Sequence, residues 1–277
     1  MAENALRIVW DNLADSSTLS ATSVAITAAN LLTNSKSEVW RSAATITSCS
    51  ITATWSTLQS VSCVALPFCN FSPTATMLVK CYSDTAGTNL IYTSATLLCC
   101  PSTAIKVQGL TLAQSSSAYA YGGGVAASVY IPVQSARRVT VDIVDTNNLQ
   151  GYLEATRIVI GAYFSPTYNA EYGASLMMED MSKNFRSDAG NLHTDVGARY
   201  KKLSVSLTAL LPVDRAAIWK IVSYCGTGSP VFLSLHPDND DDNLEQAHIV
   251  YGKFTSMSAI ASRDYLIYST PLEVESL

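Results

Sequence analysis

Cys49-Ser50-Ile51-Thr52-Ala53-Thr54-Trp55 decides how this chain is read. Cys49, Ile51, Ala53 and Trp55 alternate with three hydroxyl residues, and a period of two belongs to a strand with one face on a core and the other in water. Working outward, Val61 to Leu66 and Thr76 to Tyr82 read as further strands, separated by a loop carrying Pro67 and Pro73. Asp84-Thr85-Ala86-Gly87-Thr88-Asn89 supplies the side-chain acceptor and left-handed backbone of a tight reversal. Strands recurring about every ten residues, with turn signals between them, indicate a sandwich or barrel.

Composition agrees with this. The 277 residues are 48% hydrophobic and only 14% charged, and Ser and Thr fill the gap. Hydroxyl surfaces cost less to desolvate than charged ones, which suits a protein held among many neighbours. Residues 1–136 carry 5 basic and 5 acidic side chains, so the net charge of −5 lies wholly in the second half. That balance, with no basic patch interleaved with aromatics, argues against nucleic acid as a partner.

Seven cysteines would suggest a disulfide framework in a short secreted chain, but here the number is odd and Cys99 and Cys100 are adjacent. Cys49, Cys63 and Cys81 fall on the apolar phase of their strands, where a free thiol behaves as a small hydrophobe. The start lacks a basic and then apolar leader, and no run of about 18 apolar residues occurs. The expectation is a cytosolically made protein without membrane insertion.

The chemistry-bearing residues do not assemble into a catalytic signature. His193, His236 and His248 have no second histidine, cysteine or carboxylate pair at metal-ligand spacing. No Gly-x-Ser-x-Gly turn exposes a serine. Glu154 and Asp142, on adjacent strands, read as ion-pair partners of Arg138 or Arg157 rather than a glycosidase pair, which would have to face each other across a sugar. Asp238 to Asp242 reads either as a calcium loop or as a solvated hairpin loop, with Asn243 and Ile249 standing where calcium loops carry Gly and Glu. Gly122-Gly123-Gly124 reads as a flexible turn, not a phosphate cradle. No cofactor, metal or catalytic residue is named, and the chain is expected not to be an enzyme.

Residues 166–199 lose clean periodicity and read as a linker and long loop, of the kind that carries binding or assembly surfaces. Arg199 to Leu210 alternates again. A helix over about 213–225 follows, with Pro212 and Asp214 in its first turn, Ile218, Ile221 and Val222 on one face, and Gly226 at its end. Pro230 to Leu235, His248 to Phe254, Tyr265 to Tyr268 and Leu272 to Val274 read as strands. The fold class is mainly β: an N-terminal jelly-roll sandwich over 1–165, then a small β-barrel or sandwich over 200–277 crossed by one helix.

Two resemblances refine this. Ala29-Asn30-Leu31-Leu32 with Val39-Trp40-Arg41-Ser42 opens the first domain, and Arg138 to Ile143, Gly151-Tyr152-Leu153-Glu154 and Arg157 to Gly161 close it. That pattern resembles the galactose-binding-like, discoidin-type jelly rolls, and implies a glycan as a candidate ligand, with Trp40 and Tyr121 as candidate contacts. The second domain, with Tyr200 to Leu210, the Trp219 helix, Gly226, Pro230 to Pro237 and Val250-Tyr251-Gly252, is similar to the barrel-plus-helix domains of siphophage tail-tube and distal-tail proteins. This resemblance implies a virion structural protein of the tail tip or baseplate, assembled in the host cytoplasm. It also implies a homo-oligomeric ring, trimer or hexamer, whose partners are tail tube, hub and tape-measure proteins. A carbohydrate-binding or receptor-binding virion protein is the alternative. A ring needs sheet edges that pair with neighbours, and the candidates are strand 200–211, with Tyr200, Leu203, Val205 and Leu207, and the final strand, with Tyr265 and Ile267. The family's accessory sandwich commonly follows or interrupts the ring domain; here it comes first.

Overall fold

The computed structural model describes residues 5–102, 106, 107, 110, 111, 125–239 and 241–277. In chain order the strands are β1 (Arg7–Val9), β2 (Thr18–Ala21), β3 (Trp40–Arg41), β4 (Ser48–Cys69), β5 (Thr76–Tyr82), β6 (Leu90–Thr93), β7 (Leu97–Leu98), β8 (Lys106–Val107), β9 (Leu110–Thr111) and β10 (Val125–Val144). Then come β11 (Glu154–Ala155), β12 (Val159–Gly161), β13 (Ser175–Asp180), β14 (Lys183–Arg186), β15 (Leu192–Asp195) and β16 (Arg199–Leu210). Helix α1 (Pro212–Cys225), β17 (Val231–Ser234), helix α2 (Asp242–Ala247), β18 (Ile249–Phe254), β19 (Ala261–Asp264) and β20 (Ile267–Ser276) complete the chain.

The jelly roll is one nine-stranded sheet bent over on itself, in the order β3-β11-β4-β10-β5-β6, with β2 and β12 also on β4 and β7 on β5. Its spine is a single antiparallel pair, β4 against β10, with register shifts between Tyr130 and Gln134 and between Ala136 and Arg138. Such irregularities bend a strand and let it serve both layers. The strand over 49–55 and the one over 61–66, which read as separate in sequence, are two arms of β4. Ile51, Trp55, Met77, Val79, Val141 and Ile143 fill the space between the layers.

Seven strands form the second sheet, in the order β1-β17-β18-β20-β16-β13, with β19 on β20. α1 lies across one face, burying Ile218, Ile221, Val222 and Cys225 on Leu203, Val205, Leu207, Leu272 and Val274. The other face meets the jelly roll: Val9, Phe232, Ile249 and Tyr251 pack on Cys63, Ala65 and Val159. This double burial explains why Val231 to Ser234 is buried at every position, and why residues 61–67 of β4 are buried without alternation. The fold class is the expected one, mainly β with a jelly roll followed by a smaller β-layer crossed by a helix.

Three expectations are corrected. β1 pairs with β17 of the second sheet, not with the sandwich that follows it in sequence. Residues 166–199 are not a long loop, since they contain β13, β14 and β15. Strands without a buried face have no hydrophobic alternation to reveal them. Asp238 to Asp242 leads into α2 rather than forming a hairpin loop, because the Asp241 carboxylate accepts from the backbone N–H groups of Asn243 and Leu244 and caps the helix start. Asp240 lies outside the described residues.

All seven cysteines are buried and unpaired. Burial pushes the thiols of Cys63, Cys69 and Cys81 well up, Cys81 to about 12. Among the described residues no helix is long and apolar enough to cross a membrane.

Candidate functional site

The most exposed built feature is a β-arm. β13 pairs with the start of β16, Ser175 to Ser204 through Asp180 to Arg199, and the same two chain segments continue outward as β14 and β15, Lys183 to Asp195 through Arg186 to Leu192. The crossover is tight: a Cβ on Gly197 would sit 2.4 Å from the Met181 carbonyl carbon. Met181 N–H donates to Ala198 O and Gly197 N–H to Ser182 Oγ, fixing the direction in which the arm leaves the sheet. Every residue of β14 and β15 is exposed, including Phe185 and Leu192. Met177, Met181 and Val196 at its base are exposed as well. Phe185 stacks on His193, with ring centroids 5.6 Å apart. A two-stranded ribbon with no core beneath it is marginal in water.

The expected assembly residues fare differently. β16 lies between β20 and β13, and β20 between β18 and β16, so neither is a free edge. Leu203, Val205 and Leu207 point under α1 and are buried, which corrects their reading as contact residues. Tyr200 is half-buried, and Ile267 is partly buried beside the fully presented Tyr265 at the β19–β20 turn. Among the described residues β13 is an open edge of the second sheet, as is the short β19. β1, at the opposite end, is closed by reciprocal hydrogen bonds between Ile8 and Phe164.

The expected glycan contacts also change. Trp40 is fully buried, and its indole N–H donates to Ser23 O, so it cannot stack on a sugar. An aromatic so close to the opening of a domain serves as core when the following turn folds it inward. Tyr121 and Gly122 to Gly124 lie outside the described residues. The polar surface beside β3 and β11 is built by other side chains. Arg41 lies 4.3 Å over the Tyr152 ring and forms an ion pair with Glu154 at 2.5 Å. Asn70 donates to Gln150 Oε1 and Tyr152 O and accepts from Glu154 N–H. Asp145, wholly buried beneath, accepts from Ser72 N–H and Oγ and ties the adjacent loops together. Tyr152 was visible in the sequence only as part of the closing motif.

The carboxylates are engaged elsewhere than expected. Glu154 pairs with Arg41 and Asp142 with Lys80, whereas Arg138 donates to the Ala86 carbonyl and Arg157 pairs with Asp15. Asp238 pairs with Arg7, and burial beside Asp238 pushes the Glu245 carboxyl up to about 7. His236 and His248 meet edge to face at 5.1 Å. Among the described residues no three metal-ligating side chains converge.

A chain of hydrogen bonds through the buried Arg157 and Tyr251 joins the two layers. Arg157 donates to Tyr251 Oη, Leu31 O and Asp15 Oδ2, and Tyr251 Oη donates onward to Asn34 Oδ1. Close to it, a cleft of about 630 Å³ opens between the layers, with Lys36 on the jelly-roll side and Tyr200, Lys253 and Glu275 on the other.

No family model matches this chain, and no curated protein does. Solved structures with similar parts include chitosan-binding module 1 of a chitosanase/glucanase from Paenibacillus sp. IK-5, at 17% identity and TM-score 0.38, covering 55% of this chain and 99% of the module. CpGH89CBM32-5 from Clostridium perfringens, in complex with GalNAc-β-1,3-galactose, aligns at 11% identity and TM-score 0.37, covering 55% of this chain and 100% of the module. A GH29 fucosidase from Ruminococcus gnavus in complex with fucose aligns at 12% identity and TM-score 0.38, covering 57% of this chain and 27% of the enzyme. Likeness of this depth carries no argument about ligand or activity.

Proposed function

We propose that the chain is a non-catalytic structural subunit of a homo-oligomeric particle, of the siphophage tail-tip kind that its sequence resembles. In this reading the β-arm reaches a neighbouring copy and the jelly roll faces outward within the virion. The observation that carries the reading is the arm: a ribbon exposed at every residue, with Phe185 and Leu192 on opposite faces, gains a core only from another chain. β13 adds an open strand edge at its base. An arm docking on a different surface of the next copy makes a head-to-tail contact, which closes into a ring where the rotation allows.

Replacing residues 183–195 by a two-residue turn is the test. The native protein is expected to run as a closed trimer or hexamer by light scattering and native mass spectrometry, and the armless variant as a monomer. Its thermal midpoint should stay within about 3 °C of the parent, since the arm contributes nothing to either core. A parent that is strictly monomeric at high concentration and absent from purified virions defeats the reading.

Glycan attachment by the jelly roll is a second reading, favoured by the ring of Tyr152 set among Arg41, Asn70 and Gln150 at the loop end. Aromatic faces beside amide and guanidinium donors suit sugar rings. Binding on a glycan array that falls about tenfold or more in Tyr152→Ala supports it; an array with no signal above background removes it.

A further inference from the structure

The cleft between the layers is lined by three cations, Lys36, Lys253 and Arg199, of which Arg199 pairs with Asp180 while Lys253 stands across the strand pair from Glu275. Lys36 Nζ sits 4.3 Å over the Phe68 ring, with its ammonium form disfavoured by burial. Among the described residues neither Lys36 nor Lys253 has an ion-pair partner. Lys201, on the floor beneath, donates to Gln246 O and Ala247 O, and burial brings it down to about 8. Phe68 itself is held at φ 58, a left-handed conformation that costs a β-carbon residue energy and recurs where a site demands it. Partly desolvated lysines facing open volume favour an anion.

The rest of the lining says which anion. Thr255 and Ser276 offer hydroxyl oxygens, their protons being donated to Glu273 Oε2 and Leu277 O, Tyr200 an aromatic ring and Glu275 a carboxylate. A carboxylate in the wall repels inorganic phosphate but accepts from the hydroxyls of a sugar, and the ring offers an apolar face to its carbons. We propose that this cleft binds an acidic sugar, a hexuronide whose carboxylate lies between Lys36 and Lys253 and whose hydroxyls meet Glu275, Thr255 and Ser276. The site is separate from the Tyr152 surface and independent of the assembly reading.

Full-length protein titrated with trigalacturonate, followed by calorimetry and amide chemical shifts, tests this. Binding is expected in the micromolar to low millimolar range, weakening as salt is raised from about 50 to 300 mM. Lys36→Ala and Lys253→Ala should each weaken it about tenfold, Lys36→Arg should restore most of it, and Arg263→Ala, at an exposed cation of β19, should leave it unchanged. Both lysines are partly exposed, so the variants should keep the parent's thermal midpoint, checked in parallel. Equal affinity for neutral maltotriose, displacement by equimolar inorganic phosphate, indifference to both lysine substitutions, or no binding at about 10 mM each overturns the proposal.

Discussion

Gly252→Val is expected to unfold the second layer or cost about 4 kcal/mol, a fall on the order of 10 °C in thermal midpoint. A Cβ at this position would stand 1.9 Å from the Glu275 carbonyl oxygen and 2.8 Å from Ser276 Cα. Both are backbone atoms of β20, which crosses β18 in the register Gly252 to Ser276 and Lys253 to Glu275. Neither can swing aside as the end of a side chain would, so the strand pair must part. Because β20 also pairs with β16 along seven residues, from Lys202 to Leu210, the damage spreads to the strand that anchors the arm. Calorimetry should rank the parent above Gly252→Ala and that above Gly252→Val; a valine variant within about 2 °C of the parent would show that β20 can shift freely.

Arg157→Leu is expected to cost about 3 kcal/mol and, more tellingly, to split a single thermal transition into two. The guanidinium is buried, and it donates to Tyr251 Oη of the second layer and to Leu31 O and Asp15 Oδ2 of the jelly roll. Leucine restores apolar volume but leaves the buried Tyr251 hydroxyl oxygen without its donor, while Leu31 O keeps the Ile158 N–H. Asp15→Asn is the control. The aspartate is half-exposed, so its loss should cost under about 1 kcal/mol and leave one transition. Two transitions in the parent, or one in Arg157→Leu, would show that the layers couple through apolar contact alone.

What the sequence discloses follows burial. The first arm of β4 shows itself through Cys49, Ile51, Ala53 and Trp55 because only one face meets a core. Helix α1 shows itself for the same reason, with Pro212 at its start and the Gly226 N–H closing on Val222 O at φ 52. The second arm of β4 hides its continuity because the jelly-roll core takes one face and Phe232 and Tyr251 the other. β14 and β15 hide for the opposite reason, having no buried face. The candidate sites suffer most, since a side chain's direction is set by partners far away: Trp40 turns inward to Ser23, and Leu203 points beneath a helix. Lys36 carried no motif; only the second layer folding over it makes it a site residue.

The pairing of β1 with β17 has an awkward temporal side. Arg7, Ile8 and Val9 leave the ribosome more than two hundred residues ahead of their partners Phe232, Leu233 and Ser234. In between, the sandwich that separates them already has all its own strands. A nascent chain must therefore keep β1 idle while a whole module matures beside it, so β1 serves the last part to mature rather than the module it adjoins in sequence.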